Sequence, residues 1–132
     1  MEKWEEIIEK TIPSGKYQAL VKNGEESGLI IELESNQHEV IITFGVVVAL
    51  RMLDEGIVLT GIFDEHAIQK YKNDNFSKVI YKVQNGEFGN FMQQISDELF
   101  EYLELKHFII ITMNYVIEVI SKYEPNIEVI KK

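Results

Sequence analysis

The apolar positions of this chain recur mostly at intervals of two residues, the repeat of a β-strand with one buried face. In segment 28–34, Leu29, Ile31 and Leu33 alternate with residues that are mostly polar. Segment 16–22 precedes it, and an Asn-Gly turn signal lies in the loop between the two segments. Together the two segments predict a β-hairpin with a five-residue loop.

Longer apolar runs predict further strands. The β-branched run 39–52 predicts a long strand in which Gly45 marks a bulge or bend. A helix over 46–53 fits the same residues, and the pattern leaves the choice between strand and helix open. The apolar run 107–121 predicts a long central strand, and 127–130 predicts a short last strand.

Apolar residues at three- and four-residue spacing predict helices in three other segments. These segments are Glu2–Lys10, Asp64–Asn73 and Phe88–Leu103. In the first segment the spacing involves Trp4, Ile7 and Ile8. The third segment carries seven apolar residues at helical steps, which makes it the clearest predicted helix.

The order of the elements decides the fold class. With a strand over 76–83, the order is α-β-β-β-α-β-α-β-β, in which hairpins dominate and strands do not alternate with helices. We therefore predict an α+β fold, with a mostly antiparallel sheet of five to six strands packed against one long and one or two short helices. The length of 132 residues fits a single α+β domain over 1–132.

The amino-acid composition limits the classes of partner that this protein can bind. Lysine and arginine total 13 against 22 aspartates and glutamates, a net charge of −9. This balance disfavours nucleic acid, which is bound through lysine and arginine, and suits a basic protein. The sequence has no cysteine, which excludes disulfides and thiol catalysis. No apolar run is long enough for a bilayer span and the first residues form no secretion signal, so we expect a cytoplasmic protein without membrane contact.

No catalytic motif stands out. The three histidines have no metal-ligand spacing, and the cluster Asp64-Glu65-His66 fits a helix start with Asp64 as its cap. We expect His107 to be half-buried and bonded to a backbone carbonyl. Arg51, the only arginine, and Glu118 both lie in apolar runs, so we predict a structural pair between Arg51 and a carboxylate. The sequence predicts no enzyme activity, cofactor or metal.

Two stretches of the sequence resemble a known family. The first is Val40–Phe44 through Leu50–Gly56, and the second runs from Gly86-Glu87-Phe88 through His107–Ile110 to Ile117–Ser121 and Glu124-Pro125. Both are similar to small bacterial immunity proteins (antitoxins) of the kind encoded beside the LXG-domain polymorphic toxins of Gram-positive bacteria. The resemblance implies a cytoplasmic inhibitor that binds the toxic domain of a cognate partner, in many cases a nuclease.

An acidic inhibitor can present carboxylates where a basic toxin binds phosphates. Four acidic patches are candidates for this contact: Glu25-Glu26, Asp54-Glu55, Asp64-Glu65 and the helix face of Asp97, Glu98, Glu101 and Glu104. We rank Asp54, Glu55, Asp64 and Glu65 highest as partner-binding residues, because the elements around them end in loops.

Two other functions fit the same sequence. One is a small-molecule-binding or enzymatic domain with a pocket between the sheet and the long helix, near His107, Tyr115 and Glu118. The other is an assembly protein joined through exposed strand edges. The sequence leaves the oligomeric state open.

Overall fold

The computed structural model describes residues 1–7, 10–58 and 61–132. Within them nine strands and four short helices form an α+β fold, as predicted. The strands are β1 (Lys3–Glu6), β2 (Gln18–Gly24), β3 (Gly28–Glu34), β4 (His38–Gly45), β5 (Ala49–Asp54), β6 (Ile80–Gln84), β7 (Lys106–Ile111), β8 (Tyr115–Ser121) and β9 (Asn126–Lys131). The helices are α1 (Glu55–Val58), α2 (Glu65–Asn73), α3 (Glu87–Ile95) and α4 (Leu99–Tyr102).

The strands form two antiparallel sheets. The first sheet has the order β1-β6-β7-β8-β5, and the second has the order β2-β3-β4-β9. The predicted antiparallel pairing is confirmed, but the strands are divided between two sheets of five and four instead of one sheet of five to six. The predicted long helix is also absent from the described residues, where no helix exceeds nine residues.

The main core lies between the two sheets. From the second sheet, β3 contributes Leu29, Ile31 and Leu33, and all three side chains are fully buried. Phe108 of β7 and Ile117 of β8 meet them from the first sheet. This burial of alternate residues along β3 is what the period-two pattern predicts.

Helices cover the outer face of the first sheet, so the molecule has three layers. Tyr71 of α2 packs on Tyr81 of β6, with ring centroids 4.7 Å apart. These two residues belong to a second, smaller core on this face. Trp4 of β1 is also part of it, and the centroid of its ring lies 5.4 Å from that of Tyr81 and 5.2 Å from that of Phe63. Burial raises the pKa of the Tyr81 hydroxyl. The helix α3 covers the other end of the same face.

The predicted helix over 2–10 is wrong, because residues 3–6 form β1. Trp4 lies opposite Val83 in the ladder between β1 and β6. Trp4 could be buried in either a helix or a strand. As a strand, β1 also forms hydrogen bonds with the backbone N–H and C=O groups of β6, which would otherwise lie at the edge of the first sheet. Ile8, which the helix prediction used, lies outside the described residues.

The predicted strand over 39–52 is broken after Gly45, which has a φ of +77°. Its two halves, β4 and β5, lie in different sheets. The alternative of a helix over 46–53 is wrong, because residues 49–54 pair with β8. Gly45 therefore marks the crossing from one sheet to the other.

Two other long predicted elements are each broken by a turn. The run 107–121 is the hairpin of β7 and β8, in which the Thr112 backbone N–H donates to the Tyr115 carbonyl at 2.9 Å. The helical segment 88–103 is split into α3 and α4, with Asp97 between them at a φ of +59°. The strand predicted over 76–83 begins only at Ile80.

Candidate functional site

A buried ionic network lies on the outer face of the first sheet. Arg51 of β5 and Glu118 of β8 are directly opposite in the ladder. The Arg51 Nε donates to Glu118 Oε2 at 2.7 Å, and Nη2 contacts the same oxygen. His107 of β7 contacts Glu118 Oε1 through Nε2 at 2.9 Å. The predicted pair of Arg51 with a carboxylate is confirmed.

The strand register explains how His107, the third member of the network, comes within reach of Glu118. Glu118 lies opposite Ile109, and His107 lies opposite Ile120. Residues two apart on a strand share a face, so His107 and Glu118 are diagonal neighbours on the same side of the sheet. Glu118 is 0% exposed and His107 is 3% exposed. Such a buried carboxylate needs partners, and Arg51 and His107 provide them.

The helix α3 packs directly over this network. Arg51 Nη2 forms an ion pair with Glu87 Oε1 at 2.8 Å, and its guanidinium carbon lies 4.4 Å from the centroid of the Phe88 ring. Gly86 and Gly89 allow the close approach, because a Cβ at either position would lie 3.1 or 3.4 Å from His107 Nδ1. Arg51 thus ties the start of α3 to the sheet.

The electrostatics of Arg51 favour its charged form. Partial burial alone would lower the pKa of Arg51, but the hydrogen bond with Glu87 and the negative charges of Glu118 and Glu87 raise it above its ordinary value. Arg51 therefore stays positive and compensates Glu118. This geometry stabilises the packing of α3 on the sheet.

The expectation for His107 is wrong in two respects. The ring is almost fully buried instead of half-buried, and it bonds the Glu118 carboxylate instead of a backbone carbonyl. Its second ring nitrogen, Nδ1, is buried and has no hydrogen-bond partner among the described residues. An unpaired buried polar atom is unusual in a folded protein and invites a functional explanation.

A cleft of about 360 Å³ lies beside this histidine, between the strands β6 and β7 and the helices α3 and α4. The alternative prediction of a pocket near His107, Tyr115 and Glu118 therefore fits in part. His107 lines the cleft, but Glu118 does not. Tyr115 lies at the other end of β8, opposite Asp54.

Three of the four residues ranked as partner-binding have local roles. Asp54 Oδ1 accepts a hydrogen bond from the Gly56 N–H at 2.8 Å. Asp64 is the N-cap of α2 and accepts from the His66 N–H at 2.8 Å. Glu65 contacts Lys72 at 3.3 Å. All three remain exposed.

Glu55 begins α1 and lines a smaller cleft of about 170 Å³. The same cleft is lined by Lys16 and Lys72, so its charge is mixed. Partner binding by Asp54, Glu55, Asp64 and Glu65 stays a prediction, and the local contacts give it no further support.

Replacing Asp64 with alanine tests the local role. The cap interaction is worth about 1 kcal/mol, so we expect Asp64→Ala to lower the free energy of unfolding by about that amount. Urea unfolding of the variant, followed by circular dichroism, measures the change. Asp64→Asn keeps the cap and removes the charge, so equal losses in both variants would contradict a capping role.

An exposed apolar surface on α3 and α4 is a feature that the sequence pattern does not reveal. Its side chains are Phe91, Ile95, Leu99 and Tyr102, which are 48%, 60%, 56% and 81% exposed. The helical spacing predicts them as part of the core. The structure instead buries Phe88 and leaves these four in solvent, and we call them the α3–α4 surface. Contiguous exposed apolar patches are typical of binding sites.

No protein-family model, curated protein sequence or solved structure matches this chain. In the described part of the chain, no helix combines the length and the apolar character needed to cross a bilayer. Among the same residues, no group of three or more histidines, aspartates and glutamates is placed to hold a metal ion.

Proposed function

We propose that this protein is an immunity protein that binds a basic bacterial toxin and neutralises it by direct contact. The observation that carries the proposal is the α3–α4 surface. Four large apolar side chains in solvent are unfavourable for an isolated domain, and a partner that covers them removes this cost. Aromatic and aliphatic anchors of this kind dominate the energy of many protein interfaces.

Acidic residues accompany the apolar ones. Asp97, Glu98 and Glu101 lie between residues of the α3–α4 surface in the sequence, Glu104 follows them, and all four are exposed. An apolar centre with a charged rim is the common anatomy of a protein interface. The negative rim and the net charge of −9 favour a positively charged partner such as a nuclease domain.

Truncating two anchors tests the proposal. We expect the double variant Leu99→Ala/Tyr102→Ala to bind the catalytically inactivated toxin encoded beside this chain about 1,000-fold more weakly, because hot-spot side chains each contribute about 2 kcal/mol or more. Calorimetric titration measures the affinity, and growth of cells that express the active toxin measures protection. Both side chains are exposed, so the thermal stability should change little.

Leu20→Ala is a matched control, because Leu20 is 53% exposed on the open face of the second sheet. This control should bind like the unmodified protein. Affinity should also fall as the salt concentration rises, since the rim acts through charge. If the double variant binds the toxin with unchanged affinity, or if Leu20→Ala loses as much affinity as the double variant, the α3–α4 surface is not part of the interface.

A further inference from the structure

The strand β9 leaves one edge of the second sheet open. It is the last strand in the order β2-β3-β4-β9, and among the described strands it pairs with β4. The backbone N–H of Lys132 donates to the Gln37 carbonyl at 2.9 Å, and hydrogen bonding alternates along an antiparallel pair. The even-numbered residues of β9 therefore bond to β4. Ile127, Val129 and Lys131 direct their backbone N–H and C=O groups to the open edge, which can accept a further strand.

The charges of β9 are divided between its two ends. Glu128 lies near the start of the strand, whereas Lys131 and Lys132 lie at its end, and all three are exposed. When two such strands run antiparallel, the negative end of each lies against the positive end of the other. Opposite charges on facing residues stabilise a strand pair. The edge of β9 is therefore complementary to a second copy of itself.

The other edge strands of the two sheets do not have this property. β1 is only four residues long, and two of them are glutamates. β2 carries one charged side chain, Lys22, so two copies of β2 would form no ion pair. In β5, Arg51 is bound to Glu118 and Glu87, and Asp54 accepts the Gly56 N–H. Of the described edge strands, β9 is the one whose charges match a second copy.

We infer that two copies of this chain pair antiparallel through β9, about a two-fold axis at Ile130. Facing residues in a sheet share a face, and this axis keeps the buried faces of the two strands on the same side. Each Glu128 then lies opposite Lys132 of the second copy. The two Ile130 side chains, each 41% exposed in one chain, face each other between these ion pairs.

The same register uses the open backbone groups. Val129 lies opposite Lys131 of the second copy, and both direct their backbone groups to this edge, so the two symmetric pairs form about four hydrogen bonds. The two four-stranded sheets join into one of eight strands, which is within the usual range. A lysine on an edge strand usually opposes pairing, but here Lys132 meets a glutamate. Its contact with Glu34 of its own chain, at 3.3 Å, is exposed and contributes little.

The local charge favours a second copy over a basic partner. Segment 126–132 has one glutamate and two lysines, in a chain of net charge −9. This edge therefore attracts an acidic protein and repels a basic toxin. The α3–α4 surface belongs to the helical layer on the first sheet, and β9 belongs to the second sheet. The β9 contact would thus form whether or not the α3–α4 surface binds a toxin.

Sedimentation of the full chain at about 1 to 500 µM measures this association. We expect a shift from one chain to two, with a dissociation constant on the order of 10–100 µM, because the contact is small. The dimer should weaken as the salt concentration rises, since its ion pairs are exposed. A chain that stays monomeric over the whole range would overturn the inference.

Exchanging the two charges tests the register. Glu128→Lys sets lysine against lysine, and Lys132→Glu sets glutamate against glutamate, so each should weaken the dimer about tenfold or more. The double variant Glu128→Lys/Lys132→Glu should associate nearly as well as the unmodified chain, because opposite charges face each other again. Within one strand the two positions are about 13 Å apart and cannot compensate each other. A double variant as weak as the single ones would overturn this pairing.

The absence of cysteine from the sequence allows a direct test of the axis. Facing residues in a non-hydrogen-bonded pair have Cα atoms about 4.5 Å apart, a distance that a disulfide can span. Ile130→Cys should therefore form a disulfide-linked dimer on mild oxidation. Leu20→Cys on β2 and Met52→Cys on β5 are matched controls, because these side chains are 53% and 39% exposed on other edge strands. Either control cross-linking as fast as Ile130→Cys would overturn the assignment to β9.

Discussion

Replacing Arg51 with methionine should lower the free energy of unfolding by about 3–5 kcal/mol, because it leaves a buried carboxylate without its charge partner. Glu118 is fully buried, and its other contact, His107, is neutral unless it takes up a proton. The variant also loses the ion pair with Glu87 and the stacking on Phe88 that hold α3. Chemical unfolding at neutral pH measures the change.

The double variant Arg51→Met/Glu118→Met separates the charge from the shape of the site. Replacing a buried ion pair by apolar residues of similar size is often neutral or stabilising, so the double variant should recover much of the loss. Lys22→Met removes an exposed pair with Glu32 at 2.7 Å. It should change stability by less than about 1 kcal/mol. A stable Arg51→Met protein would show that Glu118 does not depend on Arg51.

Gly28→Ala should have an effect of similar size for a different reason. Gly28 has a φ of +76°, and a Cβ there would lie 2.1 Å from the Gly45 carbonyl carbon. The added methyl group would push apart the backbones of β3 and β4 and impose a strained conformation. We expect a loss of about 3 kcal/mol or more in the free energy of unfolding, or failure to fold.

Gly24→Ala is the matched control in the same hairpin. Its Cβ would meet only the Ser27 hydroxyl oxygen at 3.5 Å, an ordinary contact. Thermal unfolding of both variants compares them directly, and Gly24→Ala should melt close to the unmodified protein. Equal melting temperatures for both variants would show that the backbones at Gly28 and Gly45 can separate at little cost.

The parts of the fold that the sequence predicts well are those where local pattern and tertiary burial agree. Leu29, Ile31 and Leu33 alternate in sequence and all face the core between the sheets. Asp64 has the chemistry of a helix cap and forms one. In each case the residue's local preference agrees with the surroundings that the fold provides.

The wrong predictions concern boundaries that distant residues decide. Nothing near Trp4 in sequence indicates that β6 will pair with it. The break between β7 and β8 depends on a tight turn at Asn114, which the apolar run around it conceals. The split of the long helix at Asp97 likewise leaves Ile95 and Leu99 exposed, although their spacing is typical of a buried stripe.

The candidate site also has a part that the sequence predicts and a part that it does not. A lone arginine and a glutamate in apolar runs predict an ion pair, because isolated buried charges are too costly. The cleft beside His107 could not be predicted, since its residues come from two strands and two helices. In the sequence, only the acidic residues from Asp97 to Glu104 point to this region as a binding site. Asp54, Glu55, Asp64 and Glu65 rank above them as partner-binding candidates, because the elements around those four end in loops.

The strand pairing has a consequence for how the protein assembles. Arg51 and Glu118 are 67 residues apart along the chain, and Trp4 is further still from its opposite residue, Val83. Pairings of such long range slow folding, and chains dominated by them mature in about milliseconds to seconds. The hairpin of β7 and β8, by contrast, can close soon after synthesis. The carboxylate of Glu118 therefore stays without its two partners until β5, β7 and β8 have come together, so the buried network forms late in folding.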